Sequence, residues 1–529
     1  MTTTRTATIR SAFLPLLAGA LVALGSATGI GGCGSSKTTS LGEGASGSTG
    51  GDEGGALDDS GDDSTTYTFG DSSFTVPTQD SATSASCGTG GELDCYVKTC
   101  PNGGDTTLTG IVYDPAGNNP IYNAIVYVPD STTGVLPAIA EGTNSCSTCD
   151  ASIGNYLSVA VTNAKGQFTL TKVPATTHVP LVVQIGKWRR EVFLSEVKAC
   201  TNNAVAAADS RLPANASEGN LPRIAFLSGG ADANLGCFLS GLGISDSEWS
   251  APQGTGHVQV FQGTGGAGVS GGTAPNCAGT AVCPLWSTMA GLEYYDIVML
   301  SCEGMPIDRP APAMANMHAW LNEGGKMFGT HYHYTWFSDG PANGCPACTD
   351  FQSAGDWLDN GSGASGGSAS YNIDTTFYAG NILQQWLANL NPPADNGDAI
   401  TLSNVATSLG TVTSAAERWI YSGQGDSSTY DTKYMSILTP VGGAPKAPDA
   451  GENAVPQYCG KAVFSDLHAG GSGNLISIFT GNDTLPGLCS GNTTLTAQEE
   501  ALEFLFFDLS ACVAPETMMI TPPPPNNPQ

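Results

Sequence analysis

The stretch YYDIVMLSCEGMPIDRPAPAMANMHAWLNEGGKMFGTHYHYTWF, residues 294–337, decides the fold. After Asp296 comes a continuous apolar run, Ile297 to Leu300, the pattern of a strand buried on both faces in a parallel sheet. A Pro-rich loop follows, and then Met314, Met317, Trp320 and Leu321 recur at helical spacing, which predicts a helix over 313–322. Gly324-Gly325 ends that helix as a glycine C-cap does. A second strand, Lys326 to Gly329, then runs into His331 and His333. The unit is β-α-β, and ligands of such sheets sit at the carboxyl ends of the strands. One end here carries Cys302 and Glu303, the other the two histidines.

Working outward, 529 residues exceed one ordinary domain. With 47 Asp+Glu against 18 Lys+Arg and a net charge of -29, the surface repels phosphate backbones and excludes nucleic acid as a partner. Sixteen cysteines fit an oxidising compartment. Arg5 and Arg10 precede an apolar run from Ala12 to Leu24, so residues 1–32 are expected to be a signal peptide. It ends Ile30-Gly31-Gly32-Cys33, which resembles a bacterial lipobox. That resemblance implies lipidation of Cys33 and, with Gly34 next, an outer-membrane envelope location reached through the lipid anchor only. Residues 33–86, rich in Gly, Ser and Asp, are expected to be a disordered acidic tether. No later segment is apolar enough to span a bilayer.

Short alternating strands with turn signals predict an all-β sandwich over 87–214. Lys187-Trp188-Arg189-Arg190 is its one basic-aromatic cluster, read as a solvated strand end rather than a docking site. An α/β domain is expected over 221–513, with an excursion at 338–455 whose 400–440 part reads as irregular β structure. Leu285 to Leu292 reads as a helix, and Thr496-Ala-Gln-Glu499 as a capping box opening the last one. The glycine-rich 263–272 loop lacks Walker spacing and a lysine, so it is not read as phosphate-binding, and no motif names a cofactor. Residues 514–529 are a Pro/Asn tail, expected to be disordered.

Two resemblances sharpen this plan. The segments GIVYDPAGNNPIYNAIVYV and TNAKGQFTLTKVP are similar to the carboxypeptidase regulatory-like, transthyretin-type sandwich. The segments YDIVMLS, LNEGGKMFGTH, ERWIY and GKAVFSDLH, in that order, resemble the ThuA-like branch of the class I glutamine-amidotransferase-like superfamily. The second resemblance implies a flavodoxin-like α/β fold with a pocket closed by the histidine-ended strands. It departs from the amidotransferases at the nucleophile turn, where Gly329-Thr-His331 stands without a cysteine, so glutamine hydrolysis by the family mechanism is not available.

The resemblance brings His331, His333, His468, Asp466, Glu303 and Glu417 toward one crevice. His331, His468 and Glu417 are the candidates for binding or acid/base work, and His331, His333 and His468 those for a metal. The plainer alternative is that these groups satisfy buried backbone. An elbow-like turn at His331 would separate it from His333. Both C-x-x-C pairs, Cys146/Cys149 and Cys345/Cys348, are read as disulfide cysteines, and buried Cys302 as the thiol left over. Its thiolate is disfavoured by Glu303 beside it. Two functions fit. Either a tethered envelope lipoprotein presents a domain that binds, and on the fuller reading processes, a carbohydrate-like or polyol ligand, or the α/β domain is a non-enzymatic scaffold for envelope-protein contacts.

Overall fold

The computed structural model describes residues 66–69, 72–75 and 93–520, apart from 131–134, 143–145, 147–152, 233, 280–281, 391–398, 424–431, 445–456, 470–482 and 490–494. The expected signal peptide, Cys33, Cys149 and the end of the tail lie outside these residues. The chain forms two compact units, 1–80 and 81–529. In the first, the strands Thr66–Phe69 and Ser72–Thr75 pair antiparallel, a hairpin inside the stretch expected to be a tether.

In the second unit, residues 93–220 build two sheets. One orders the strands Gly219–Asn220, Trp188–Glu196, Thr177–Ile185, Ile125–Pro129 and Tyr156–Val161, all antiparallel. The other orders Gln167–Leu170, Thr107–Ile111 and Asn202–Ala204. Alternation explains the layering: Phe168 and Leu170 are buried while Gln167 and Thr169 are exposed. Leu108, Val126, Val128, Leu181 and Val183 join them in the core.

The remaining described residues form a mixed ten-stranded sheet flanked by helices, with a small parallel pair, Gly268–Val269 and Thr484–Leu485, beside it, a sheet-rich α/β architecture. Its parallel part orders Trp249–Ser250, Val258–Gln262, Ile224–Ser228, Ile297–Leu300, Lys326–Thr330 and Gly460–Ser465. Ile297–Leu300 and Lys326–Thr330 are buried at every position; the first is an unbroken apolar run, and in the second Lys326 is buried with its Nζ donating to the Ser510 carbonyl. The chain goes to one side of Ile224–Ser228 first and to the other side next, so the switch point lies at that strand's carboxyl end.

Three expectations change. The 338–455 excursion does not leave the sheet: Gly355–Ile373, Ala399–Val412, Glu417–Tyr421 and Thr432–Thr439 extend it antiparallel from Gly460–Ser465. The reason is visible in Thr432–Thr439, where Met435 and Ile437 enter one core cluster and Tyr434 the other, so both faces are covered. The helix expected over 285–292 is only Met289–Glu293. Lys187-Trp188-Arg189-Arg190 is not a solvated end. Trp188 is buried against Phe507, Arg189 Nη1 donates to the Pro137 carbonyl at 2.7 Å, and Lys187 pairs with Asp296.

The last helix, Ala497–Ser510, carries the expected capping box, with Thr496 and Glu499 capping each other. Its aromatic face joins the two β layers to the α/β sheet: Phe504 meets Tyr122 at 5.7 Å and Trp419 at 6.3 Å between ring centroids. Disulfides pin the unit: Cys100–Cys200, Cys146–Cys459, Cys237–Cys489, Cys277–Cys283 and Cys345–Cys348. Cys302 is free and buried, as expected. Among the described residues, no helix is long and apolar enough to cross a membrane.

Candidate functional site

Three parallel strands deliver side chains to the carboxyl edge. Cys302 follows Ile297–Leu300, His331 follows Lys326–Thr330, and His468 follows Gly460–Ser465 by three residues. Gly229 allows this convergence, because a Cβ there would lie 2.3 Å from the Cys302 carbonyl. At the end of Lys326–Thr330 the chain turns sharply into the 3-10 helix His331–Tyr334, and His331 takes a φ of 45°, a left-handed conformation rare for a side chain without local compensation.

The turn aims the two histidines apart. His331 stacks on Tyr332 at 3.8 Å and meets the His468 ring edge-on at 5.0 Å, centroid to centroid. Its Nδ1 lies 3.3 Å from Cys302 Sγ. His333 points elsewhere: its Nε2 donates to the Ser301 carbonyl at 2.9 Å, 4.0 Å from Glu303. His333 is therefore corrected from metal candidate to backbone anchor. Glu303 is committed too, since it pairs with buried Arg309 and accepts from the Thr264 amide at 2.7 Å.

Glu417 does not join the histidines. It pairs with Ser436, which pairs with Val463, so it sits level with the middle of Gly460–Ser465 instead of its carboxyl end. Burial and the nearby Asp374 carboxylate raise its pKa. The resemblance alone had placed it at the crevice; the antiparallel run of Glu417–Tyr421 takes it away. Asp466 anchors the covering strand, accepting from the Ala406 amide at 2.9 Å and, through its carboxylate, from Ser408 at 2.8 Å.

The crevice is closed. Cys302, His331 and His468 are 0, 3 and 7 % exposed. The Ala399–Val412 strand lies over them, and where its pairing register shifts, Asn404 adopts φ 54° and turns its carbonyl to accept from His468 Nδ1 at 2.8 Å. Gln498 caps the other side, donating to the His468 carbonyl at 2.6 Å. Burial dominates the electrostatics. It lowers His331 to about 3, with help from the other two imidazoles, and pushes the Cys302 thiol up to about 12. It also holds His468 below its ordinary value. Near neutral pH all three are uncharged. Two small cavities lie elsewhere, along the last helix and residues 120–123, with volumes of about 10 and 20 Å³, the scale of single waters.

Sequence reasoning missed Cys302 as a member of this cluster. The signal was present, because Cys302 ends its strand at the same edge as His331.

No family model matches the chain, and no curated protein of similar sequence was found. Solved structures that overlap it include a protein from Bacteroides uniformis described as ThuA-like, 8% identical, with a TM-score of 0.26, covering 54% of this chain and 90% of its own. A second protein described as ThuA-like, from Parabacteroides merdae, is 11% identical with the same TM-score, 0.26, over 47% of this chain and 81% of its own. A cohesin–X-dockerin complex from Acetivibrio cellulolyticus overlaps 28% of this chain and 78% of its own at 13% identity and a TM-score of 0.14. At such scores these overlaps assign the chain neither a family nor an activity.

Proposed function

We propose that this chain is an exported envelope lipoprotein, anchored through Cys33 in the outer membrane, whose α/β body is a non-enzymatic scaffold for protein contacts. The flavodoxin-like, class I amidotransferase-like assignment belongs to the same proposal and is supported by the order of the parallel strands. Disulfides between distant segments support the oxidising compartment.

One observation carries the choice between the two functions. His331 and His468 meet as a ligand-binding crevice requires, yet both are buried beneath the Ala399–Val412 strand. A polyol needs donors and acceptors that it can reach, and here one ring nitrogen of His468 is spent on the Asn404 carbonyl and the other is buried. The test is titration of the full-length protein with a glycan and polyol panel, alongside His331→Ala and His468→Ala. The scaffold reading expects no saturable binding and a lower melting temperature in both variants. Saturable binding of a polyhydroxylated ligand, abolished in His331→Ala at unchanged melting temperature, would restore the carbohydrate reading.

A further inference from the structure

We infer that Cys302, His331 and His468 form a binding site for one soft or borderline transition-metal ion, of the zinc or copper class, held by a thiolate and two imidazoles. This goes beyond the scaffold function, which needs no ion.

The argument starts from lone pairs. The Asn404 carbonyl only accepts, so His468 carries its proton on Nδ1 and presents a bare lone pair on Nε2. That Nε2 is buried and has no hydrogen-bond partner. The Nε2 of His331 is buried and unpartnered as well. Two unsatisfied ring nitrogens beside one reduced thiol are costly to bury and rare in folded chains. A cation satisfies the bare lone pair of His468, and neutral His331 beside it offers a second through whichever ring nitrogen carries no proton.

Geometry agrees. One ligand atom from each of the three residues lies within 4.8 Å of the others. A tetrahedral ion with metal–sulfur and metal–nitrogen bonds of about 2.3 and 2.0 Å separates its ligands by roughly 3.5 Å, so small side-chain rotations complete the set. The Asn404 carbonyl already does what the outer shell of a metal-bound histidine does, fixing tautomer and ring orientation. Sulfur with two imidazoles selects zinc or copper over magnesium and calcium. The site also accounts for the one free thiol among the described residues of a disulfide-bonded chain. On binding, the Cys302 S–H bond breaks, a metal–sulfur bond forms, and one proton goes to solvent.

The test uses the full-length protein purified without chelator. Elemental mass spectrometry is expected to find one zinc or copper per chain. Cobalt(II) added to chelator-treated protein is expected to give a thiolate-to-cobalt charge-transfer band. Cys302→Ser should lose the band and weaken binding by more than ~100-fold, beyond the usual cost of an outer-shell change. His318→Gln, a histidine paired with Asp350 away from the cluster, should retain both. In case Cys302→Ser fails to fold, His468→Cys keeps a ligand and should bind cobalt with a shifted band, a change no packing role produces. A wild-type protein with no metal and no cobalt band overturns the proposal. So does a full equivalent of metal retained in folded Cys302→Ser.

Discussion

The two edges of one sheet solve opposite problems. At the carboxyl edge, Cys302, His331 and His468 are buried, uncharged and short of partners. At the amino edge, basic and acidic groups are held instead by an opposite partner or a carbonyl, all of them buried or nearly so except the partly exposed Lys187. Lys461 pairs with Asp508 and Glu516, Lys187 with Asp296, and Lys326 Nζ donates to the Ser510 carbonyl at 2.9 Å. Burial forces pairing wherever charge cannot be given up, and it forces neutrality where it can. The amino edge is thus spent on holding the last helix and its tail to the sheet. The carboxyl edge keeps unspent lone pairs, which is what a site needs.

That contrast breaks first at Lys461. Lys461→Ala leaves Asp508 and Glu516 buried without their cation, and denaturant unfolding should show a loss of about 3–5 kcal/mol. Lys461→Met, which keeps the volume, should lose no less, because the carboxylates stay. Equal stability of Lys461→Ala and wild type would mean the amino edge is solvated.

The next effect is on pH. Asp114 and Glu503 face each other where residues 93–220 meet the last helix, with Asn119 Nδ2 donating to Glu503 at 2.6 Å. Burial raises Asp114 to about 6 and Glu503 well above its ordinary value, with Glu500 adding repulsion to Glu503. A carboxyl raised on folding gives stability that is full below its unfolded value near 4 and is lost as pH rises through about 6. Thermal melts of wild type should therefore fall between pH 4 and 7 relative to Asp114→Asn, by at most about 3 kcal/mol. A parallel pH dependence in both proteins contradicts the pairing.

At the carboxyl edge, His468→Ala removes the donor to Asn404 and should cost roughly 1–3 kcal/mol. The smallest effect belongs outside both edges. His318 reaches partly exposed Asp350 at 3.0 Å, and His318→Gln should change stability by less than about 1 kcal/mol.

The contrast was half legible in the sequence. Short apolar runs at 297–300, 327–329 and 462–464 give buried parallel strands, and residues just past such strands share an edge, so His331 and His468 meeting could be read directly. Cys302 obeys the same rule: its strand-end position was legible, but the approach of its thiol to the His331 ring was not. Glu417 entered through resemblance alone, and the pairing register that removes it is a long-range property. The amino-edge lysines gave no local signal: Lys326 and Lys461 look like ordinary solvated charges until the last helix folds over them. The β character of 400–440 was legible but its place in the main sheet was not, and the Gly- and Ser-rich strand Gly355–Ile373 lacks a strong apolar period.

The claim that the carboxyl edge is a closed, buried centre is tested most directly by the rate at which Cys302, the free thiol there, is alkylated in the native full-length protein. The structure predicts protection: modification with iodoacetamide should be slow in buffer and rapid only in denaturant. Rapid native alkylation, at the rate of an exposed thiol, would contradict the covering role of the Ala399–Val412 strand and reopen the edge as an accessible pocket.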